Sequence, residues 1–189
     1  MKKGYFNRQK KRLASHPITL HDIEIESETL NIQQAISIYR EHGCLVVRRL
    51  MTAYIAEVLR DINHFIEETL GQMDRAEPCP EGWTTPNKAL LLPAPKSYDR
   101  DKQIMVLPID YRNSAALFRS ACDPRVLDIV AAHLGPDIEL FGDGQSLVKE
   151  PVGGHPKLLH QDAAYFEHKY EGPMAMLAYA VDTDLNNGA

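Results

Sequence analysis

Apolar residues recur at helical spacing in three parts of the chain. Ile32, Ala35, Ile36 and Tyr39 share one face of a helix that opens at Asn31 and is stopped by Gly43, which predicts a helix over about 31–42. Cys44-Leu45-Val46-Val47 follows as a short apolar run of strand type, and Thr52 is placed to cap a second helix. That helix carries Ile55, Val58, Leu59, Ile62, Ile66 and Leu70 on one face before Gly71. A third is predicted from Asp123-Pro124 as cap and first turn, carries Val126, Leu127, Val130 and Leu134, and stops at Gly135-Pro136.

Other segments carry a different pattern. Five of the twelve prolines and the single tryptophan, Trp83, lie within residues 78–95, so residues 72–103 are expected to form an irregular lid loop that buries Leu90, Leu91 and Leu92. Thr84, Asn87 and Lys88 are its polar residues, read as solvated rather than ligand-facing. From Asp137 onward the pattern turns to strands: Ile138 to Phe141, Gln145 to Lys149, Leu158 to Asp162 and Met174 to Val181, separated by Gly- and Pro-containing turns. The expectation is an antiparallel sandwich or barrel behind an amino-terminal helical layer, in one domain spanning residues 1–189.

Composition narrows the function classes. The formal charge is -5, yet six basic residues fall in the first twelve positions, leaving fifteen basic against 26 acidic residues in the rest. Residues 1–30 therefore read as a basic arm and lead-in, and the acidic body argues against a nucleic-acid partner. No apolar run approaches a membrane span. Three cysteines, Cys44, Cys79 and Cys122, without a CxxC, suit neither a disulfide framework nor a zinc cluster and fit a reducing, cytoplasmic compartment.

The candidate chemistry centres on His160-Gln161-Asp162. Side chains two apart on a strand share a face, so an imidazole and a carboxylate can converge on one metal ion. The spacing alone carries little weight, because eight histidines and 26 acidic residues give about one chance His-x-Asp/Glu per chain of this length. The surrounding residues add to it. Gln145-Ser146-Leu147-Val148-Lys149-Glu150-Pro151, His155-Pro156, His160-Gln161-Asp162, Tyr165-Phe166 and Asn187-Gly188-Ala189 together resemble the phytanoyl-CoA dioxygenase family, and Tyr39 to Val47 is similar to that family's opening helix and strand.

The resemblance implies a double-stranded β-helix, a cupin-like jelly roll with amino-terminal helices, holding iron(II) and using 2-oxoglutarate and dioxygen. The implied reaction hydroxylates a small organic substrate while 2-oxoglutarate is decarboxylated to succinate. It makes His160 and Asp162 two of three protein ligands, and the retained aspartate speaks against halogenation. Gln145, Lys149 and Tyr179 correspond to positions near the co-substrate, and Tyr165 and Phe166 to the pocket wall. Each also has a plain reading: Gln145 on a sheet surface, Lys149 exposed on an edge strand, Tyr179, Tyr165 and Phe166 in the core. His155 and His168 read as surface histidines.

The sequence departs from the family pattern in one respect. The third ligand is a downstream histidine followed by a cation, but no histidine follows His168 and no arginine follows Arg125. The chain therefore reads as an amino-terminal fragment, inactive alone, with the carboxy-terminal part of the barrel missing. The alternative is a non-catalytic jelly-roll binding or scaffold protein that has lost the third ligand.

Overall fold

The computed structural model describes residues 17–140, 144–151, 160, 162, 173–184 and 186. Where the length suggests one domain, the chain divides into two compact units, one up to Leu50 and the other from Met51.

The first unit contains α1 (Leu20–Ile23), β1 (Glu24–Glu26), a 3-10 turn (Ser27–Thr29), α2 (Ile32–His42) and β2 (Val46–Arg48). The ends of α2 follow from local chemistry. The Asn31 side chain accepts the Gln34 N–H at 3.0 Å, and Gly43, at φ 77°, adopts the left-handed conformation that lets its N–H donate to the Tyr39 carbonyl at 2.8 Å. β1 and β2 pair in parallel, with Ile25 opposite Val47. Ile25, Ala35 and Ile36 are buried.

The second unit is built on a five-stranded antiparallel sheet in sequential order. Its strands are β3 (Glu77–Cys79), β4 (Gly82–Thr84), β5 (Leu90–Pro93), β6 (Lys102–Leu107) and β7 (Ser146–Leu147). Three helices accompany it: α3 (Ile55–Leu70), α4 (Ala115–Ala121) and α5 (Pro124–Leu134). Ala89, Leu91, Ile104, Leu107 and Ile109 form the buried cluster, and Ile62, Phe65 and Ile66 of α3 pack against it. Each fully buried leucine there contributes about 2 kcal/mol by leaving water. Ser114 caps α4 by accepting the Leu117 N–H, and its hydroxyl donates to Asp61 of α3 at 2.7 Å. The molecule is thus mixed α and β. Among the described residues, no helix is long and apolar enough to cross a membrane.

Several expectations change. Residues 72–103, expected as an irregular lid, contain a 3-10 turn (Met73–Arg75) and three of the five strands. Their prolines sit where a sheet tolerates a missing donor: Pro78 is on the edge strand β3, and Pro93 is the last residue of β5. Thr52 does not cap α3, which starts after Tyr54 in a turn closed by the Tyr54 N–H donating to Met51. Leu70 is exposed, and Thr69 is the buried residue in the last turn. The strand expected over Gln145 to Lys149 is limited to two residues. Ile138 to Leu140 and Met174 to Val181 are not strands among the described residues, and Met176, Leu177 and Val181 are exposed. Among the described residues neither segment is paired into a sheet, and an alternating apolar pattern does not by itself hold a strand.

Candidate functional site

His160 and Asp162 are brought together. The His160 Nε2 lies 3.2 Å from Asp162 Oδ1, and both side chains are about half exposed, at 44% and 49%. They do not meet in the way that the spacing predicts. Neither is in a strand, and Asp162 lies in a 3-10 turn. The separation suits two adjacent ligands of an octahedral ion, because donors about 2.1 Å from a metal and at right angles are about 3 Å apart. It also suits an imidazole N–H donating to a carboxylate. Among the described residues, no group of three His, Cys, Asp or Glu side chains is placed to hold a metal.

Gln145 is exposed immediately before β7 and lines a groove of about 280 Å³. Leu90, Val106 and Pro108 form the apolar part of this groove, and Lys88 and Arg112 supply two cations. Gly144 permits the close approach, since a Cβ there would lie 2.8 Å from that of Asp110. Lys149 is exposed after β7.

The side chain of the next residue, Glu150, is only 7% exposed. Its carboxylate accepts hydrogen bonds from the Tyr98 hydroxyl, from Arg100 and from the Ile104 N–H at 2.5 Å. The bond to Glu150 raises the Tyr98 pKa, because it favours the protonated phenol, and burial and the nearby charge add to this. Tyr179, expected near the co-substrate or in the core, is 58% exposed and outside any strand. Tyr165, Phe166, His155 and His168 lie outside the described residues.

Sequence reasoning missed the groove's cations. Arg112 is aimed by Asp110, whose carboxylate accepts the Arg112 N–H at 2.7 Å, Nε at 2.9 Å and a terminal guanidinium nitrogen at 2.5 Å. These bonds lower the Asp110 pKa against the opposing effect of burial. Lys88 is held at φ 68°, a left-handed conformation that costs a residue with a side chain about 1–2 kcal/mol.

A buried polar network stabilises the Lys88 turn. The Asn87 N–H donates to Gln72 at 2.8 Å, and its amide donates to the Thr69 hydroxyl at 3.0 Å. The Thr85 hydroxyl donates to the Asn87 side chain and accepts the Ala89 N–H at 3.0 Å. Asn87 is therefore a structural residue rather than a solvated one, while Lys88 faces the groove. A sequence cue was present in Thr-Thr-Pro-Asn-Lys, a turn-forming run just before an apolar one. No family model, curated protein or solved structure matches the chain.

Proposed function

We propose that the protein is an iron(II)- and 2-oxoglutarate-dependent dioxygenase of the phytanoyl-CoA dioxygenase type that hydroxylates a small organic substrate. In this reading the five-stranded antiparallel sheet is part of a double-stranded β-helix. The observation that carries the proposal is the 3.2 Å approach of His160 Nε2 to Asp162 Oδ1, within the sequence motif that resembles the family. His160 and Asp162 are the residues that would hold the metal, which supplies redox chemistry with dioxygen and the 2-oxo acid when bound.

The chain's own residues bind and orient. His160 offers an imidazole nitrogen and Asp162 a carboxylate oxygen, a donor set suited to a divalent ion of intermediate hardness. Glu150 ties the residues just after β7 to the sheet. A full ligand set needs a third group besides these two, and among the described residues no group of three His, Cys, Asp or Glu side chains is placed to supply it.

The test is anaerobic titration with iron(II), followed by NMR of the histidine ring protons. Broadening of the His160 resonances that disappears in Asp162→Ala is expected, with affinity reduced about tenfold or more. If His160 is unaffected by iron(II), or Asp162→Ala changes nothing, the reading fails. A non-catalytic binding protein would then be favoured, because the two side chains already satisfy each other.

A further inference from the structure

We infer that the groove between Lys88, Arg112 and Gln145 is a binding site for the carboxylate of a small organic acid. Four observations converge on it. First, two cations and an amide donor surround one concavity, and none of its described lining residues is acidic. Second, the Asp110 carboxylate that grips Arg112 is withdrawn from solvent: the Asp110 side chain is 2% exposed, whereas that of Arg112 is 55% exposed. The charge that reaches the groove is therefore positive, and its direction is set by the fork from Asp110.

Third, Lys88 keeps a left-handed backbone that a glycine would adopt without strain, and the Thr69, Gln72, Thr85 and Asn87 network holds the turn in place. Strain preserved by a dedicated buried network is a feature of ligand clamps. Fourth, the floor is apolar, formed by Leu90, Val106 and Pro108, which suits a short carbon chain carrying an anionic end better than a fully hydrated inorganic ion. The Gln145 amide can donate to a second carboxylate oxygen.

The inference rests on these side chains alone and holds whether or not His160 and Asp162 take iron. Its test is therefore run on metal-free protein with a chelator present. Calorimetric titration with succinate, 2-oxoglutarate, propionate and inorganic phosphate is compared between the wild type, Lys88→Gly and Arg112→Lys. Saturable binding of a carboxylate is expected, weakened about tenfold or more in Lys88→Gly by loss of a charge-assisted contact. Lys88→Gly should at the same time raise the melting temperature, because it relieves the strained backbone.

Binding restricted to 2-oxoglutarate and succinate assigns the site to the co-substrate's carboxylate. Comparable binding of propionate assigns it to a carboxylated substrate. Arg112→Lys retains the charge but not the fork, and is expected to bind more weakly than wild type. Preference for phosphate over every carboxylate, or equal carboxylate affinity in wild type and Lys88→Gly, overturns the inference.

Discussion

Asp110-Tyr111-Arg112 and Asp123-Pro124-Arg125 fold in the same way. In each, the aspartate accepts the backbone N–H two residues on, and the guanidinium of that same residue turns back onto the carboxylate. The second turn also begins α5, and its aspartate accepts the Tyr54 hydroxyl at 2.9 Å. Arg125 lowers the Asp123 pKa to about 2 against the cost of burial, with Tyr54 adding to the effect. The folded-state value is depressed, so the stabilisation is complete above the unfolded value near 3.9 and is lost as pH falls toward 2. Asp123→Asn keeps a capping oxygen and removes the charge. It should cost about 1–2 kcal/mol at neutral pH, and the difference from wild type should shrink toward zero near pH 2 in denaturant titrations. A difference independent of pH would show that the charge is not the source. The sequence reveals Asp123 as a cap because a cap is local, but not the Tyr54 bond, which links residues far apart in the chain.

Elements whose ends are set locally were the legible ones. Asn31 and Gly43 bound α2, and Asp123 and Gly135 bound α5, because the capping groups lie within a turn of the bonds they complete. β6 and α4 were missed, although Ile104 to Leu107 is an apolar run and Ser114 precedes Ala-Ala-Leu-Phe. The density of proline masked β3 to β5, since whether a proline breaks a strand depends on which neighbour it faces, and pairing between strands is non-local. Glycine shows the same divide. Gly43 and Gly82 both have positive φ, at 77° and 156°, but a Cβ on Gly43 meets nothing, whereas one on Gly82 would lie 2.2 Å from the Leu91 carbonyl oxygen. Gly43→Ala should therefore cost only the left-handed backbone, about 1 kcal/mol. Gly82→Ala must also push β4 away from β5 and should cost about 3 kcal/mol or more. Chemical denaturation of both variants checks the order; equal costs would mean that the β4–β5 contact yields freely.

At the scale of the whole molecule, the sequence placed the His160–Asp162 pair because its members are two residues apart, but the three segments that build the Lys88–Arg112–Gln145 groove meet only once the sheet has formed. Residues 144–151 are held to the sheet at a few points. β7 contributes two residues, and immediately beyond it the buried Glu150 carboxylate gathers Tyr98, Arg100 and the Ile104 N–H. Arg100 is partly exposed and keeps some hydration when its partner is lost, so Glu150→Gln should cost about 2 kcal/mol rather than the larger loss of a fully buried pair. Tyr98 provides an independent readout. Its bond to Glu150 holds its pKa above the ordinary phenol value near 10, so the stability it contributes is complete below that pH and is lost as pH rises through the folded-state value. In Glu150→Gln the Tyr98 titration, followed by phenolate absorbance, should move down toward the ordinary value. The stability gap from wild type should be steady at neutral pH and narrow above about pH 10. Amide exchange of residues 144–151 should quicken in the same variant while that of Leu91 and Leu107 in the buried cluster holds. Unchanged exchange over 144–151 would mean that β7 suffices to anchor these residues, and that Glu150 does not position them.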